Sequence, residues 1–282
     1  MQLRCAGRVL VLDRPVVMGV LNVTPDSFSD GGRHLDPDAA LARAEQMLAE
    51  GAAIIDIGGE STRPGADPVT ADEEIARILP VFEGLRGRLR IPISIDTYKS
   101  TVADAALGAG AAMVNDVSGL LYDPDLAVVA AAHRAALVLM HTRGRPKAMY
   151  EDAEYQDVIR EVVAELEDRV SRATAAGVLV ERILVDPGLG FAKRAEHSYG
   201  VLARLPEIAT ALHRPVLIGP SRKSFLREAA GGRPAAERDW ATAAAVTAAV
   251  MNGAHIVRVH AVAEMVQVVR AAEAIRRAQL EG

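Results

Sequence analysis

The chain carries two neighbouring groups of residues that suit the binding of phosphate. Arg258 and His260 lie two positions apart in one apolar segment, and Ser221-Arg222-Lys223-Ser224 follows the apolar run before it. Side chains two apart on a strand share one face, so we expect Arg258 and His260 to point the same way. A guanidinium binds phosphate oxygens through a planar fork, and a helix start adds backbone N–H donors. The pattern predicts a phosphate site, with one alternative: Arg258 pairs with a carboxylate of the core.

Three further polar residues each follow a short apolar run: Asp96, Asn115 and Asp186. A carboxylate accepts two parallel hydrogen bonds, and an amide both donates and accepts. Together these side chains suit a flat, nitrogen-rich heterocycle. Two alternatives stay open: the carboxylates hold a hard cation, or Asp186 is a turn residue before Pro187 and Gly188.

Two long segments rich in Pro, Gly, Ser and Thr begin at Asn22 and Gly58. Their composition is typical of loops that close over a site. Phe28 and Pro64 are apolar residues in these polar segments, so they either clamp a flat ring or anchor the loops. Asn22 and Asp30 supply oxygen ligands for Mg²⁺, which binds substrate phosphates with the help of one or two protein oxygens.

These residues need a scaffold that brings distant segments together. Short apolar runs alternate with segments of helical spacing, which predicts a parallel sheet, and eight such units predict an α/β fold closed into a (β/α)8 TIM barrel. The polar residues after the runs would then all face the catalytic mouth. A short N-terminal β-hairpin over residues 3–13, with Gly7-Arg8 at its turn, precedes the barrel, and an open doubly wound sheet is the competing architecture. The runs are Val16–Val20, Ala53–Ile57, Ile91–Ile95, Ala112–Val114, Ala136–Met140, Ile183–Val185, Val216–Ile218 and Ile256–Val259.

Composition narrows the class of protein. The 282 residues fit one barrel domain over 1–282, and half of them are hydrophobic. A net charge of −5 argues against a nucleic-acid binder, and the lone cysteine, Cys5, allows no intrachain disulfide. We find neither a signal peptide nor an apolar stretch long enough for a membrane helix, so we expect a cytoplasmic protein.

The order of these motifs resembles the dihydropteroate synthases over nearly the whole chain. Two long signatures carry the resemblance, Met18–Gly32 and Asp56–Gly65. Six shorter ones follow in order: Ile95–Thr97, Val114–Asp116, Leu139–His141, Asp186–Gly188, Ser221–Ser224 and Val257–His260. The resemblance implies a transferase of folate biosynthesis that joins a pterin diphosphate ester to p-aminobenzoate, works as a homodimer and is inhibited by sulfonamides.

The resemblance also implies a role for each matching residue. The pterin would be bound by Asp96, Asn115, Met140, Asp186 and Lys223. The diphosphate would be bound by Asn22, Arg258 and His260, with Mg²⁺ near Asn22 and Asp30. The p-aminobenzoate would be bound by Phe28, Thr62, Arg63, Pro64, Phe191 and Ser224. Asp96, Lys223, Arg258 and His260 would act in catalysis.

Two other functions are compatible with a pterin-binding barrel. One is a methyltransferase that passes a folate methyl group to a corrinoid protein; the segments around Phe28 and Arg63-Pro64 argue against it. The other is a non-catalytic pterin-binding paralogue, which would be expected to have lost one of the two long signatures. Both signatures are intact here.

Overall fold

The computed structural model describes residues 1–24, 37–61, 67–145, 150–151 and 153–281. They form ten strands, and from the third strand onward strands alternate with helices. The strands are β1 (Gln2–Cys5), β2 (Arg8–Val11), β3 (Val16–Asn22), β4 (Ile54–Gly58), β5 (Ile93–Asp96), β6 (Met113–Asp116), β7 (Ala136–Met140), β8 (Ile183–Asp186), β9 (Leu217–Ile218) and β10 (Ile256–Val259). The helices are α1 (Pro37–Glu50), α2 (Ala71–Leu85), α3 (Ser100–Gly108), α4 (Asp125–Ala132), α5 (Val158–Ala175), α6 (Ala195–Ala203), α7 (Leu205–Leu212), α8 (Asp239–Met251) and α9 (Val262–Glu281).

The strands β3 to β10 form the predicted barrel. They pair in parallel in the order β8-β7-β6-β5-β4-β3-β10-β9. The sheet closes where Val185 of β8 bridges Val216, and the Val185 N–H donates to the Pro215 carbonyl at 3.0 Å. This closure confirms the barrel and rules out the open doubly wound sheet. None of the helices in the described ranges is long and apolar enough to cross a membrane.

The N-terminal hairpin covers the end of the barrel opposite the predicted mouth. Its turn is Ala6-Gly7, one residue earlier than predicted, and Arg8 already pairs with Cys5. Both turn residues have positive φ, 41° and 86°, as a tight two-residue hairpin turn requires. Leu3 and Cys5 of β1 are buried against inward-facing residues of the barrel strands.

The two-residue period of the strands decides what fills the barrel. The inward residues nearest the hairpin form an apolar cluster: Met18, Ile54, Met113, Val138, Leu184 and Ile256. Their neighbours along the chain face the helices instead, for example Val17, Ile55 and Leu137. Two residues farther along the same strands come Val20, Asp56, Asn115, Met140, Asp186 and Arg258. Because side chains alternate along a strand, the barrel interior changes from apolar to polar at this level.

Candidate active site

Arg258 lies at the centre of the polar layer and joins three strands. Its Nε donates to Asp56 Oδ2 and its Nη2 to Asp96 Oδ2, each at 2.6 Å. Asn115 Nδ2 donates to the same Asp56 oxygen at 2.9 Å. Asp96 and Asn115 are also register partners on β5 and β6. The arginine therefore pairs with carboxylates of the core, as the alternative expected, and a phosphate ligand would have to share or replace these partners.

The carboxylates of this layer keep unused acceptor capacity. Asp56 Oδ1 and Asp96 Oδ1 are buried and have no hydrogen-bond partner among the described residues. Burial raises the pKa of Asp96 to about 7, against the opposing charge of Arg258. Buried acceptors without donors are costly, so the layer is suited to a ligand that brings its own N–H groups.

Asp186 and Lys223 form the second half of the layer. Asp186 Oδ1 accepts from the Gly188 N–H at 2.7 Å, and burial raises the pKa of Asp186 while Lys223 opposes the rise. Burial lowers the pKa of Lys223 to about 8, against the attraction of Asp186. Lys223 Nζ donates to the Leu189 carbonyl at 2.7 Å and lies 4.5 Å from the centre of the Phe191 ring. The loop after β8 thus brings Asp186 and Phe191 to one lysine.

His260 and Ser221 meet beside this layer. Ser221 Oγ lies 2.9 Å from His260 Nδ1 and accepts from the His260 backbone N–H at 3.2 Å. Ser224 is exposed, and its Oγ lies 3.4 Å from the Tyr150 hydroxyl. The structure therefore joins the motif after β9 to the end of β10, as the phosphate-site hypothesis requires.

The predicted residues of the first two loops are only partly covered by the structure. Asn22 is half-buried at the end of β3, next to Gly58 of β4. Phe28, Asp30, Thr62, Arg63 and Pro64 lie outside the described residues. No group of three or more acidic, histidine or cysteine side chains within the described ranges could hold a metal ion. Of the two carboxylates in the cage alternative, Asp96 is paired with Arg258, and Asp186 accepts from the Gly188 N–H.

Not every polar strand end faces the mouth, so that expectation was wrong in part. Asp116 accepts from the N–H groups of Ser118 and Leu120 and stabilises its own loop. His141 is fully buried and lies against Lys193 instead. The physical reason is the strand period, because Asp116 and His141 directly follow Asn115 and Met140, whose side chains point inward. Asp96, Asp116 and Asp186 also end their strands instead of following them.

Asp56 is a site residue that the sequence analysis did not select. It lies inside the run Ala53–Ile57, which was interpreted as a plain apolar strand. A carboxylate in the middle of an apolar strand was the available signal. It stands two residues after Ile54, which fills the barrel interior, so the alternation places Asp56 on the inward face.

The sequence and the fold of this chain resemble those of known pterin-binding enzymes. Residues 18–260 match the family of pterin binding enzymes. The chain is 48% identical over 264 residues to a dihydropteroate synthase of Synechocystis, covering 94% of this chain and 91% of that protein. It resembles a Xanthomonas albilineans dihydropteroate synthase solved with 4-aminobenzoic acid, with a TM-score of 0.90, 43% identity and 98% coverage of both chains. A structure of the Xanthomonas albilineans enzyme with 7,8-dihydropteroate matches with a TM-score of 0.87, 40% identity, and coverage of 98% of this chain and 99% of that chain.

The fold, the polar layer and these matches define the class: the chain belongs to the family of pterin-binding enzymes. Within that family its relatives are dihydropteroate synthases, and its function is dihydropteroate synthesis, a group-transfer reaction.

Proposed function

We propose that the polar layer of the barrel joins the diphosphate ester of 6-hydroxymethyl-7,8-dihydropterin to p-aminobenzoate. The observation that carries this assignment is the pair of buried carboxylates, Asp56 and Asp96, that share Arg258. Each keeps one oxygen without a partner among the residues that the structure describes. A pterin supplies ring and amino N–H donors to such oxygens, and its diphosphate supplies an anion for the guanidinium.

Hydrogen-bond acceptors and donors that line the barrel bind the pterin. Asp96, Asn115 and Asp186 pair with the edge of the heterocycle, and Met140 packs against its face. Lys223 donates to a ring acceptor. Burial strengthens these hydrogen bonds, since water does not compete for them.

The leaving group is stabilised by positive charge at the end of β10. The C–O bond of the ester breaks, its electron pair leaves with the diphosphate, and Arg258 and His260 stabilise the growing negative charge. Asn22 offers a carbonyl oxygen of the hard type that Mg²⁺ prefers, so it would hold the ion together with Asp30 and substrate phosphates. A bound Mg²⁺ would neutralise part of the diphosphate charge.

The amine of p-aminobenzoate forms the new bond. Loss of diphosphate leaves a cationic methylene conjugated with the pterin, and the carboxylates of Asp96 and Asp186 favour that charge. The amine nitrogen attacks this carbon and then loses a proton, so the reaction needs no protein nucleophile. Phe28, Thr62, Arg63, Pro64, Phe191 and Ser224 are the residues that we assign to the p-aminobenzoate subsite.

We test this division of roles by binding. Calorimetry with the diphosphate ester and with the corresponding alcohol separates the diphosphate subsite from the pterin subsite. Arg258→Gln should weaken binding of the ester by about 10- to 100-fold, since a hydrogen bond to a charged group contributes about 1.5–3 kcal/mol. It should weaken binding of the alcohol far less. Asp186→Asn should weaken both ligands equally. Arg182→Gln, at the opposite end of the barrel, is the control. Equal losses for ester and alcohol in Arg258→Gln would contradict the assignment.

We also propose that the protein is a cytoplasmic homodimer that sulfonamides inhibit by competing with p-aminobenzoate. Support for the dimer comes from Trp240 at the start of α8, whose exposed fraction is 91%. A large aromatic side chain in this position is typical of an interface. Light scattering should give the mass of two chains for the wild type and a larger monomer fraction for Trp240→Ser; a purely monomeric wild type would contradict the proposal.

A further inference from the structure

A buried lysine outside the mouth has no part in the roles assigned above. Lys193 is 1% exposed and its Nζ lies 2.7 Å from Nδ1 of His141, which is 0% exposed. The same Nζ donates to the Phe191 carbonyl at 3.2 Å. On its other side, His141 Nε2 lies 3.1 Å from Glu165 Oε2 of α5.

The carboxylate on the far side of the ring decides the tautomer of His141. Because Glu165 accepts and faces Nε2, we assign the ring proton to Nε2, and Nδ1 then accepts from Lys193. Burial, together with the charge of Lys193, lowers the pKa of His141 to about 3, which keeps the imidazole neutral. Although burial opposes it, the contacts with His141 and Arg143 lower the pKa of Glu165 to about 2.

His141 contacts the loop after β8 at both of its ends. At the start of the loop, the His141 N–H donates to the Asp186 carbonyl at 2.8 Å. At the end of the loop, its side chain meets Lys193. Between these points, Gly188 passes so close that an added Cβ would lie 2.0 Å from the His141 carbonyl oxygen. The loop is therefore fastened to a single residue of the neighbouring strand.

Asp186 at the end of β8 and the loop that follows it supply one residue to each substrate subsite. Asp186 belongs to the pterin subsite and Phe191 to the p-aminobenzoate subsite, and the Leu189 carbonyl between them accepts from Lys223. Burial lowers the pKa of Lys193 well below its usual range. A methionine would fill the same volume without the cost of burying an amino group, so packing alone does not explain the lysine.

We propose that Lys193 is a positioning residue that, through His141, holds Asp186 and Phe191 at a fixed separation, so that the bound pterin and the attacking amine meet in register. This inference rests on the proposed subsites. The effect belongs to the step that needs both substrates, and binding of the pterin ester alone depends on it little. A displacement of about 1 Å between reacting groups lowers the rate by about 100-fold.

The test compares Lys193→Met with the double variant Lys193→Met/His141→Leu. The single change leaves His141 Nδ1 unpaired, which destabilises a buried site, whereas the double change removes both partners. Arg182→Met is the matched control, because Arg182 is a buried cation far from the loop, where it donates to the Arg134 carbonyl.

We expect both Lys193 variants to bind the pterin ester within about threefold of the wild type and to lose at least about tenfold in kcat/KM for p-aminobenzoate. Amide hydrogen exchange should accelerate in residues 186–193 and stay unchanged in the hairpin. Arg182→Met should change neither kinetics nor exchange in this loop. Wild-type kinetics in a folded variant, or loss of pterin-ester binding, would overturn the proposal. A wild type that makes no dihydropteroate would contradict the proposed function alone, since the exchange measurement does not depend on turnover.

Discussion

Replacing Asp96 by asparagine should stabilise the protein at alkaline pH while it impairs catalysis. The pKa of Asp96 is raised to about 7 by burial, despite Arg258. A carboxyl group whose pKa is higher in the folded than in the unfolded state favours folding when protonated. Its contribution is complete below the unfolded pKa, near 4, and is lost as pH rises through about 7.

The size of the effect follows from the two pKa values. One pKa unit corresponds to about 1.4 kcal/mol, so a rise of about three units predicts about 4 kcal/mol as the upper limit. Because Asp96 shares Arg258 with Asp56, the loss of one carboxylate lets the guanidinium shift towards the other. We therefore expect the free energy of unfolding of Asp96→Asn, relative to that of the wild type, to rise by about 2–4 kcal/mol as the pH is raised from 4 to 8.

Urea denaturation of both proteins across this pH range measures the difference directly. Asp72→Asn, an exposed residue in the first turn of α2, is the control and should show no comparable gain. A difference in unfolding free energy between Asp96→Asn and wild type that does not change with pH, or that falls as pH rises, would mean that burial does not raise the pKa of Asp96.

Three further changes test other parts of the site. Asp56→Asn removes the charge that holds Arg258 and should lower kcat/KM by about 10- to 100-fold, the value of a hydrogen bond to a charged group; an unchanged steady-state value would argue against its role. Since the pKa of Lys223 is lowered to about 8, kcat/KM should fall as pH rises above that value. The pH–rate profile of Lys223→Met should lack this alkaline decrease; a decrease that persists in the variant would be due to another group. Gly188→Ala should lower the free energy of unfolding, measured by urea denaturation, by several kcal/mol, against about 1 kcal/mol for Gly87→Ala. Both glycines have positive φ, but of the two only Gly188 faces a described atom at close range. Equal losses of stability would be inconsistent with the contact to His141.

The sequence predicted the barrel and much of its polar layer. Eight apolar runs alternating with helices leave few architectures, and residues at the ends of parallel strands must meet at one end of the sheet. Asp96, Asn115 and Arg258 were found for this reason. Asp56 was missed because it lies within an apolar run, where only the register with Ile54 shows that it faces inward.

The contacts around the polar layer could not be predicted from sequence patterns. Asn115 and Asp116 are adjacent, and the choice of which one points inward depends on the register of β6 against β5. Lys193 lies in a loop with no periodicity, so nothing in the sequence links it to His141, which lies 52 positions away. Such contacts depend on tertiary packing, which local patterns do not encode.

Dihydropteroate synthesis by the purified protein is measured as release of diphosphate from the 6-hydroxymethyl-7,8-dihydropterin diphosphate ester, with and without p-aminobenzoate and Mg²⁺. We expect release that requires both additions and equals the dihydropteroate formed. Tight binding of the ester without release under any of these conditions would contradict this function.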